Sequence, residues 1–266
     1  MDASLLTLRR KVALGTRILA SQGCLGDILG HLSVRIPDSD EMFLRCLGGD
    51  ETAPEKGLLY TDVHHVRRVG FDRTVEQVDG YRLPIELPIH GELYKARPEA
   101  RAVLHAHPYH CLVATIAGLP LRPIYGCYDP LSLSAAIQGI PLYPRSVLID
   151  SPELAADLIA TMGDRDCCLM RGHGLTVIGP TVEAVTLLGI RLETLARVTL
   201  DAARATGGAR PPTLSQADLD AFAFVVEGGL QAAVSKVYEW TWNHYAQRVA
   251  DTVGLPAEER EGNYNG

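Results

Sequence analysis

The chain has 266 residues, of which 47% are hydrophobic and 21% charged, enough for one large domain or two small ones. Its 25 Lys and Arg against 32 Asp and Glu give a formal net charge of −7. That balance argues against a nucleic-acid or anionic-membrane surface, because such surfaces are basic. No segment approaches the roughly 18 consecutive apolar residues of a membrane span, and Arg9 and Arg10 interrupt the stretch where a signal peptide would be apolar. Six cysteines without a CxxC pair favour the reducing cytoplasm.

Apolar periodicity and turn residues predict helices that alternate with strands along the chain. In chain order, the predicted elements are a helix over 5–22 closed by Gly23, β-rich pieces over 32–36, 42–44 and 58–61, a helix over 89–96, a strand over 102–107, a helix over 110–116, a helix starting at Ser151, a strand over 167–170, a long helix after Pro180 that ends at Gly207-Gly208, and a helical tail over 215–249 interrupted at Gly228-Gly229. This order predicts an α/β or α+β fold with helices on both faces of a sheet.

Nine histidines are the unusual feature of the composition, and two of them have a defined geometry. His105 and His107 lie two apart in a predicted strand, so their side chains point to the same face, about 6–7 Å apart. Two such imidazoles can bind one metal ion. His173 is the natural third ligand, because it lies between two glycines after a buried strand. Four other histidines are expected to be surface or helix-end residues without a functional role: His64, His65, His110 and His244.

Three segments carry a family resemblance: ELPIH over 86–90, YKARPEARAVLHAHP over 94–108 and RGHG over 171–174. Together they resemble the class II aldolase/adducin family over most of the chain, from the first helix to about Arg204. The resemblance implies a three-layer α/β/α fold with a central, largely antiparallel sheet. It also implies a cyclic homotetramer and one divalent metal ion per subunit, Mn²⁺ or Zn²⁺. By position, the metal ligands are His105, His107 and His173, and the catalytic glutamate is Glu86.

The sequence departs from the family's sugar-phosphate enzymes at all three parts of their phosphate cradle. A Gly-Asn turn is replaced by Gly30-His31, a Thr/Ser-Gly turn by Thr61-Asp62 and a Ser-Ser pair by Pro84-Ile85. The Asp62 carboxylate would repel a phosphate, and Pro84-Ile85 offers no hydroxyl. We therefore expect a substrate that is not phosphorylated.

The departures resemble instead the family's decarboxylase branch, which acts on hydroxylated aromatic or pyridine dicarboxylates. The resemblance implies a metal-dependent carboxy-lyase for a compound of the 3-hydroxy-2-methylpyridine-4,5-dicarboxylate or dihydroxyphthalate type, and thus a role in aromatic catabolism. Two alternatives stay open at this point. One is a class II aldolase, an aldehyde-lyase, that cleaves a non-phosphorylated hydroxy-keto acid or aldehyde; the other is an adducin-like scaffold without catalysis.

Within the decarboxylase hypothesis, each candidate side chain has an expected role. Glu86 is the candidate proton donor, because a carboxyl group beside a dry pocket can have a raised pKa. His31 is a further catalytic candidate and, with Ser33, is expected to face the substrate. Arg171 is expected to bind a second substrate carboxylate, or else to form a structural ion pair. His90, one helical turn after Glu86, is expected to support the glutamate or the metal shell, and it is also a candidate substrate-binding residue.

The predicted organisation is a metal-binding domain over 1–210 followed by a helical extension over 211–266. The extension is expected to pack on the same domain or on a neighbouring subunit. The expected partners are a small anionic aromatic substrate and further copies of the chain, with no nucleic acid and no membrane.

Overall fold

The structure is a computed structural model that describes residues 3–49, 55–72, 77–222 and 231–253, with the side chains of the last helix described over 236–250. The helices are α1 (Ala3–Ser21), α2 (Leu87–Ala96), α3 (Tyr109–Ile116), α4 (Pro130–Gln138), α5 (Pro152–Met162), α6 (Val182–Ala205), α7 (Gln216–Ala221) and α8 (Gln231–Val253). The strands are β1 (His31–Arg35), β2 (Glu41–Arg45), β3 (Leu47–Gly48), β4 (Val66–Gly70), β5 (Gln77–Val78), β6 (Tyr81–Arg82), β7 (Ala102–Ala106), β8 (Leu142–Tyr143), β9 (Cys167–Met170) and β10 (Gly174–Gly179).

Seven strands form a central sheet in the order β4-β2-β1-β7-β10-β9-β8. Every pair in it is antiparallel except β8 with β9. The strands β3, β6 and β5 form a small separate sheet. The prediction of a central, largely antiparallel sheet is confirmed.

Each face of the central sheet is covered by a hydrophobic core, because successive strand residues point to opposite faces. Leu104 of β7 packs into one core with α1 and α6, whereas Val103 packs into the other with α2 and α5. His105 lies on the α2 side, since it is two residues after Val103. The molecule is thus the three-layer α/β/α fold that the family resemblance implied.

Helix caps explain where several helices begin. The side chains of Asp129, Ser151 and Thr181 accept hydrogen bonds from backbone N–H groups in the first turns of α4, α5 and α6. Such caps satisfy donors that lack an intrahelical partner. The start of a helix at Ser151 is as predicted.

One predicted element differs from the structure, and several observed elements, among them α4, β4 and β10, were not predicted. The β-rich piece expected over 58–61 is a 3₁₀ turn, Leu58–Tyr60, because its amides bond locally: the N–H of Tyr60 to the carbonyl of Gly57 and that of Thr61 to Leu58. The strand β10 was not predicted, because five of its six residues are buried and the sequence does not alternate.

The predicted helical tail is found as α7 and α8, and Gly228-Gly229 lies outside the described residues. The last helix packs against α1 and α6 of the same chain. Trp242 enters the core with 2% of its surface exposed, whereas Trp240 is 63% exposed. Within the described ranges, none of the helices is both long and apolar enough to cross a bilayer. All six cysteines are free thiols.

Candidate metal centre

Four side chains converge at the end of β7. Donor atoms of Glu86, His105, His107 and His173 all lie within 4.8 Å of one another. The Nε2 atoms of His105 and His107 are 2.9 Å apart. Oε2 of Glu86 lies 3.1 Å from Nε2 of His105 and 3.4 Å from Nε2 of His173.

These side chains come from three parts of the fold. His105 lies in β7, and His107 follows the end of that strand. Glu86 is the residue before α2, but its side chain does not cap the helix and reaches the histidines instead. His173 lies in the turn between β9 and β10, and β10 pairs with β7, which carries the turn to the histidine pair.

Two glycines in the Arg-Gly-His-Gly turn make this approach possible. Gly172 has a φ of 59°, which non-glycine residues rarely adopt. A Cβ on Gly174 would lie 2.1 Å from the carbonyl oxygen of Ala106, so only glycine lets the turn approach β7 this closely. The turn therefore holds His173 against the end of the strand that carries His105.

The spacing and chemistry of these donors fit a divalent metal ion. Two nitrogens that each lie about 2.1 Å from one ion are separated by about 3.0–3.4 Å, close to the spacings seen here. In His173, Nε2 faces the Glu86 carboxylate, and the other ring nitrogen, Nδ1, is buried with no hydrogen-bond partner among the described residues. Burial and the neighbouring His105 and His173 lower the pKa of His107 to about 3. His107 is therefore neutral, the form in which an imidazole binds a metal.

Glu86 is 5% exposed, and both of its carboxylate oxygens are engaged. Oε1 accepts a hydrogen bond from the backbone N–H of Ile149 at 2.9 Å, and Oε2 faces His105 and His173. Burial alone raises the pKa of Glu86, but these hydrogen bonds hold it well below its ordinary value. The expectation of a raised pKa is therefore wrong for this arrangement, in which the side chain is an ionised carboxylate.

A second polar network lies beside the four donors. Nδ1 of His31 is 2.7 Å from Nε2 of His90, and Nδ1 of His90 is 2.6 Å from Oγ of Ser33. The same Oγ is 2.8 Å from the hydroxyl of Tyr94. The His31 and His105 rings lie 5.1 Å apart, between centroids. The network therefore reaches the donor cluster at His31.

Burial changes the expected roles of two residues in this network. Ser33 and His90 are both 0% exposed, and their polar side-chain atoms are used within the network. We expected both to bind the substrate, but they lie behind His31, where the protein itself covers them. His90 does not bond to Glu86 either; its two ring nitrogens face His31 and Ser33.

Arg171 is exposed at the start of the turn that carries His173. The structure thus places it near the site. Of the histidines expected to be superficial, His64 and His244 are exposed, as predicted. His65 is buried instead, with its Nδ1 3.0 Å from the Asp62 carboxylate. His110 is partly buried at the start of α3, bonded to Glu193 at 2.6 Å.

Three contributors to the site were missed in the sequence. Tyr94 lies four residues after His90 and hence on the same face of α2, so helical spacing would have found it. Thr176 lies opposite His105 in the sheet, with its Oγ1 3.4 Å from Nδ1 of that histidine. The N–H of Ile149 has no signal in the sequence, because a backbone amide carries no residue preference.

Comparison with known proteins agrees with this geometry. Residues 10–200 match the Class II Aldolase and Adducin N-terminal domain. The chain is 41% identical over 203 residues to 3,4-dihydroxyphthalate decarboxylase from Arthrobacter keyseri. The aligned residues cover 75% of this chain and 80% of the relative. It is also 41% identical over 216 residues to the enzyme of the same name from Terrabacter sp. (strain DBF63), over 80% of this chain and 85% of the relative.

A crystal structure of an aldolase II superfamily protein from Pseudomonas syringae has the same fold, with a TM-score of 0.75 and 20% identity over 95% of each chain. The decarboxylase relatives confirm the prediction that the chain is an enzyme, a carboxy-lyase, and they overturn the alternative of a scaffold without catalysis. This chain belongs to the class II aldolase and adducin family and, within it, to the decarboxylase-like branch.

Proposed function

We propose that the chain is a metal-dependent decarboxylase that removes a carboxylate ortho to a hydroxyl on an aromatic dicarboxylate of the dihydroxyphthalate type. The observation that carries the proposal is the cluster of Glu86, His105, His107 and His173 within 4.8 Å, in a chain whose relatives are decarboxylases. The altered phosphate cradle supports a substrate without phosphate. The pyridine dicarboxylate remains a second member of the same substrate class.

His105, His107 and His173 would hold the ion, Mn²⁺ or Zn²⁺, with Glu86 beside it. Neutral imidazoles leave the full positive charge of the metal in place. When bound, such an ion acts as a Lewis acid that stabilises negative charge as it develops on a substrate oxygen.

Direct loss of CO₂ from an aromatic ring is difficult, because the electron pair left on carbon is orthogonal to the ring π system. Protonation of the ring carbon that bears the carboxylate turns the ring into a dienone, and the acid becomes a β-keto acid. The C–C bond can then break with its electrons delocalised onto the former hydroxyl oxygen. The product is the phenol, and one proton is taken up overall.

The ionised Glu86 suits the proton transfer in this sequence. Its carboxylate can accept the proton of the substrate hydroxyl and return it to the ring carbon, so it would act as a shuttle and not as a permanently protonated acid. The N–H of Ile149 holds the carboxylate in place during both transfers. His31 lies beside His105 and would donate a hydrogen bond to the second substrate carboxylate, with Arg171 as a further partner for it.

Incubation of the Mn²⁺- or Zn²⁺-loaded protein with a substrate panel tests the proposal. The panel contains 3,4-dihydroxyphthalate, 3-hydroxy-2-methylpyridine-4,5-dicarboxylate and a non-phosphorylated hydroxy-keto acid, with CO₂ release and ring absorbance as readouts. We expect CO₂ from a hydroxylated dicarboxylate and none from phthalate, which lacks the ortho hydroxyl. Cleavage of the hydroxy-keto acid to an aldehyde, with no CO₂ from any ring, would establish the aldolase instead.

Three further expectations belong to this proposal. The enzyme assembles as a homotetramer, acts in the cytoplasm, and consists of a domain over 1–210 with a helical extension over 211–266. The packing of α8 on α1 and α6 supports an extension that covers its own domain.

A further inference from the structure

Tyr94 is a buried tyrosine at the inner end of the network beside the metal centre. It is 1% exposed, and its ring packs against Phe71, with the two centroids 5.1 Å apart. The Cζ atom of the Arg35 guanidinium lies over the Tyr94 ring, 4.8 Å from its centroid. The Tyr94 hydroxyl is therefore held at one point, 2.8 Å from Oγ of Ser33.

The direction of each hydrogen bond in this network follows from the donors available. Burial raises the pKa of Tyr94, so its hydroxyl keeps its proton. Among the described residues, Ser33 is the acceptor recorded for that hydroxyl, and a buried donor is rarely left unpaired. Tyr94 therefore donates to Oγ of Ser33, and the Ser33 proton is directed to its remaining partner, Nδ1 of His90.

The two imidazoles extend this chain of hydrogen bonds. Since Nδ1 of His90 accepts a hydrogen bond, its proton must be on Nε2, because an imidazole carries at least one N–H. That N–H donates to Nδ1 of His31 at 2.7 Å. His31 must then carry its own proton on Nε2. No residue in the described ranges bonds to this Nε2, which leaves the N–H to donate to a ligand.

We propose that Ser33, His90 and Tyr94 are positioning residues that fix His31 as the tautomer with hydrogen on Nε2, which binds an anionic oxygen of the substrate. This inference rests on the proposed function for the identity of the ligand. The opposite tautomer would present a lone pair to a carboxylate and repel it. The hydrogen-bonded chain of Tyr94, Ser33 and His90 thus makes His31 attract a carboxylate, although the chain itself does not contact the substrate.

The tautomer of His31 can be measured directly in the full-length protein loaded with diamagnetic Zn²⁺. With ¹⁵N-labelled histidine, a ring nitrogen that carries hydrogen is distinguished by its chemical shift from one with a lone pair. A His31→Gln spectrum identifies the His31 signals. We expect a protonated Nε2 and an unprotonated Nδ1 for both His31 and His90; a protonated Nδ1 on His31 in the unmodified chain would overturn the proposal.

Ser33→Ala removes the hydroxyl that orients His90, so we expect a mixture of His31 tautomers. An equal mixture halves the competent fraction, and the Kd for phthalate, the unreactive probe, rises about twofold. Ser33→Thr restores the hydroxyl and should restore the single tautomer. Tyr94→Phe leaves Ser33 its acceptor on His90, so its effect should lie between those of Ser33→Ala and the unmodified chain.

Tyr143→Phe is the matched control, because Tyr143 is a buried tyrosine whose hydroxyl has no described partner. It should leave the His31 tautomer and phthalate binding unchanged. An unchanged single tautomer in Ser33→Ala would show that the chain does not orient His31. None of these measurements needs turnover, so a failed decarboxylation assay and a failed tautomer prediction remain distinguishable.

Discussion

The Nε2 atoms of His105 and His107 lie 2.9 Å apart, at the end of a buried strand and facing the carboxylate of Glu86. At this distance two neutral imidazoles can share one N–H···N hydrogen bond or, with both Nε2 lone pairs free, can bind one cation. The convergence of Glu86 and His173 on the same point supports the proposed divalent cation, and removal of that cation is the most direct test of the site.

Loss of His107 should release the metal. We expect the His107→Ala protein to contain less than one tenth of the metal of the unmodified chain after dialysis, and its kcat/KM to fall at least about a hundredfold, since even residues that only support metal ligands contribute 10–100-fold. Metal content by mass spectrometry and initial rates check this. Treatment with a chelator should have the same effect, reversed by Mn²⁺ or Zn²⁺. His64→Ala, which changes an exposed histidine, should retain metal and activity; full activity in His107→Ala contradicts the ligand assignment.

The Glu86→Gln substitution separates proton transfer from metal binding. Gln can still accept the hydrogen bond from Ile149, but it cannot take up and return a proton. We expect kcat to fall about 10²–10⁴-fold, the usual contribution of general acid–base catalysis, with at least half of the metal retained. Glu99→Gln changes an exposed carboxylate that pairs with Arg97 and should be neutral. If Glu86→Gln keeps a normal kcat, the shuttle role is wrong.

Gly174→Ala should disturb the position of His173. The added Cβ would lie 2.1 Å from the carbonyl oxygen of Ala106, so β10 must move away from β7 and take the histidine with it. We expect metal affinity to fall at least about tenfold, as measured by competition with a fluorescent chelator. Gly26→Ala is the matched control, since nothing lies within 4 Å of its added Cβ. Equal affinities for the two variants would show that the close approach is not required.

The two tryptophans of α8 should differ sharply in their contribution to stability. Trp242 is 2% exposed and packs in the core, so Trp242→Ala should lower the free energy of unfolding by about 3–5 kcal/mol. Trp240 is 63% exposed, and Trp240→Ala should change it by less than about 0.5 kcal/mol. Urea unfolding followed by far-UV circular dichroism measures both. A large loss at Trp240 together with a change in oligomer size would place that face of the helix against a neighbouring subunit.

Much of the fold was predictable from local pattern. The strand that carries His105 was predicted as a short run ended by Pro108, and the long helix α6 was predicted because its apolar residues recur at three–four spacing. The segment 58–61 was assigned wrongly, since a short apolar run does not distinguish a strand from a turn whose amides bond locally. The strand β10 has no alternation to detect, because both of its faces are buried.

The sequence by itself determined the donor types and one local geometry: His105 and His107 share a face because strand side chains alternate. Only the tertiary structure decided the rest. Pairing of β10 with β7 brings His173 to that face, and the position of α2 brings Glu86, although Glu86 lies 19 positions before His105 in the chain. Burial decided the roles of Ser33 and His90, which lie behind His31 and orient it. Such roles depend on which polar atoms are buried from solvent. That burial results from the packing of the layers against each other, so no single segment of the sequence determines it.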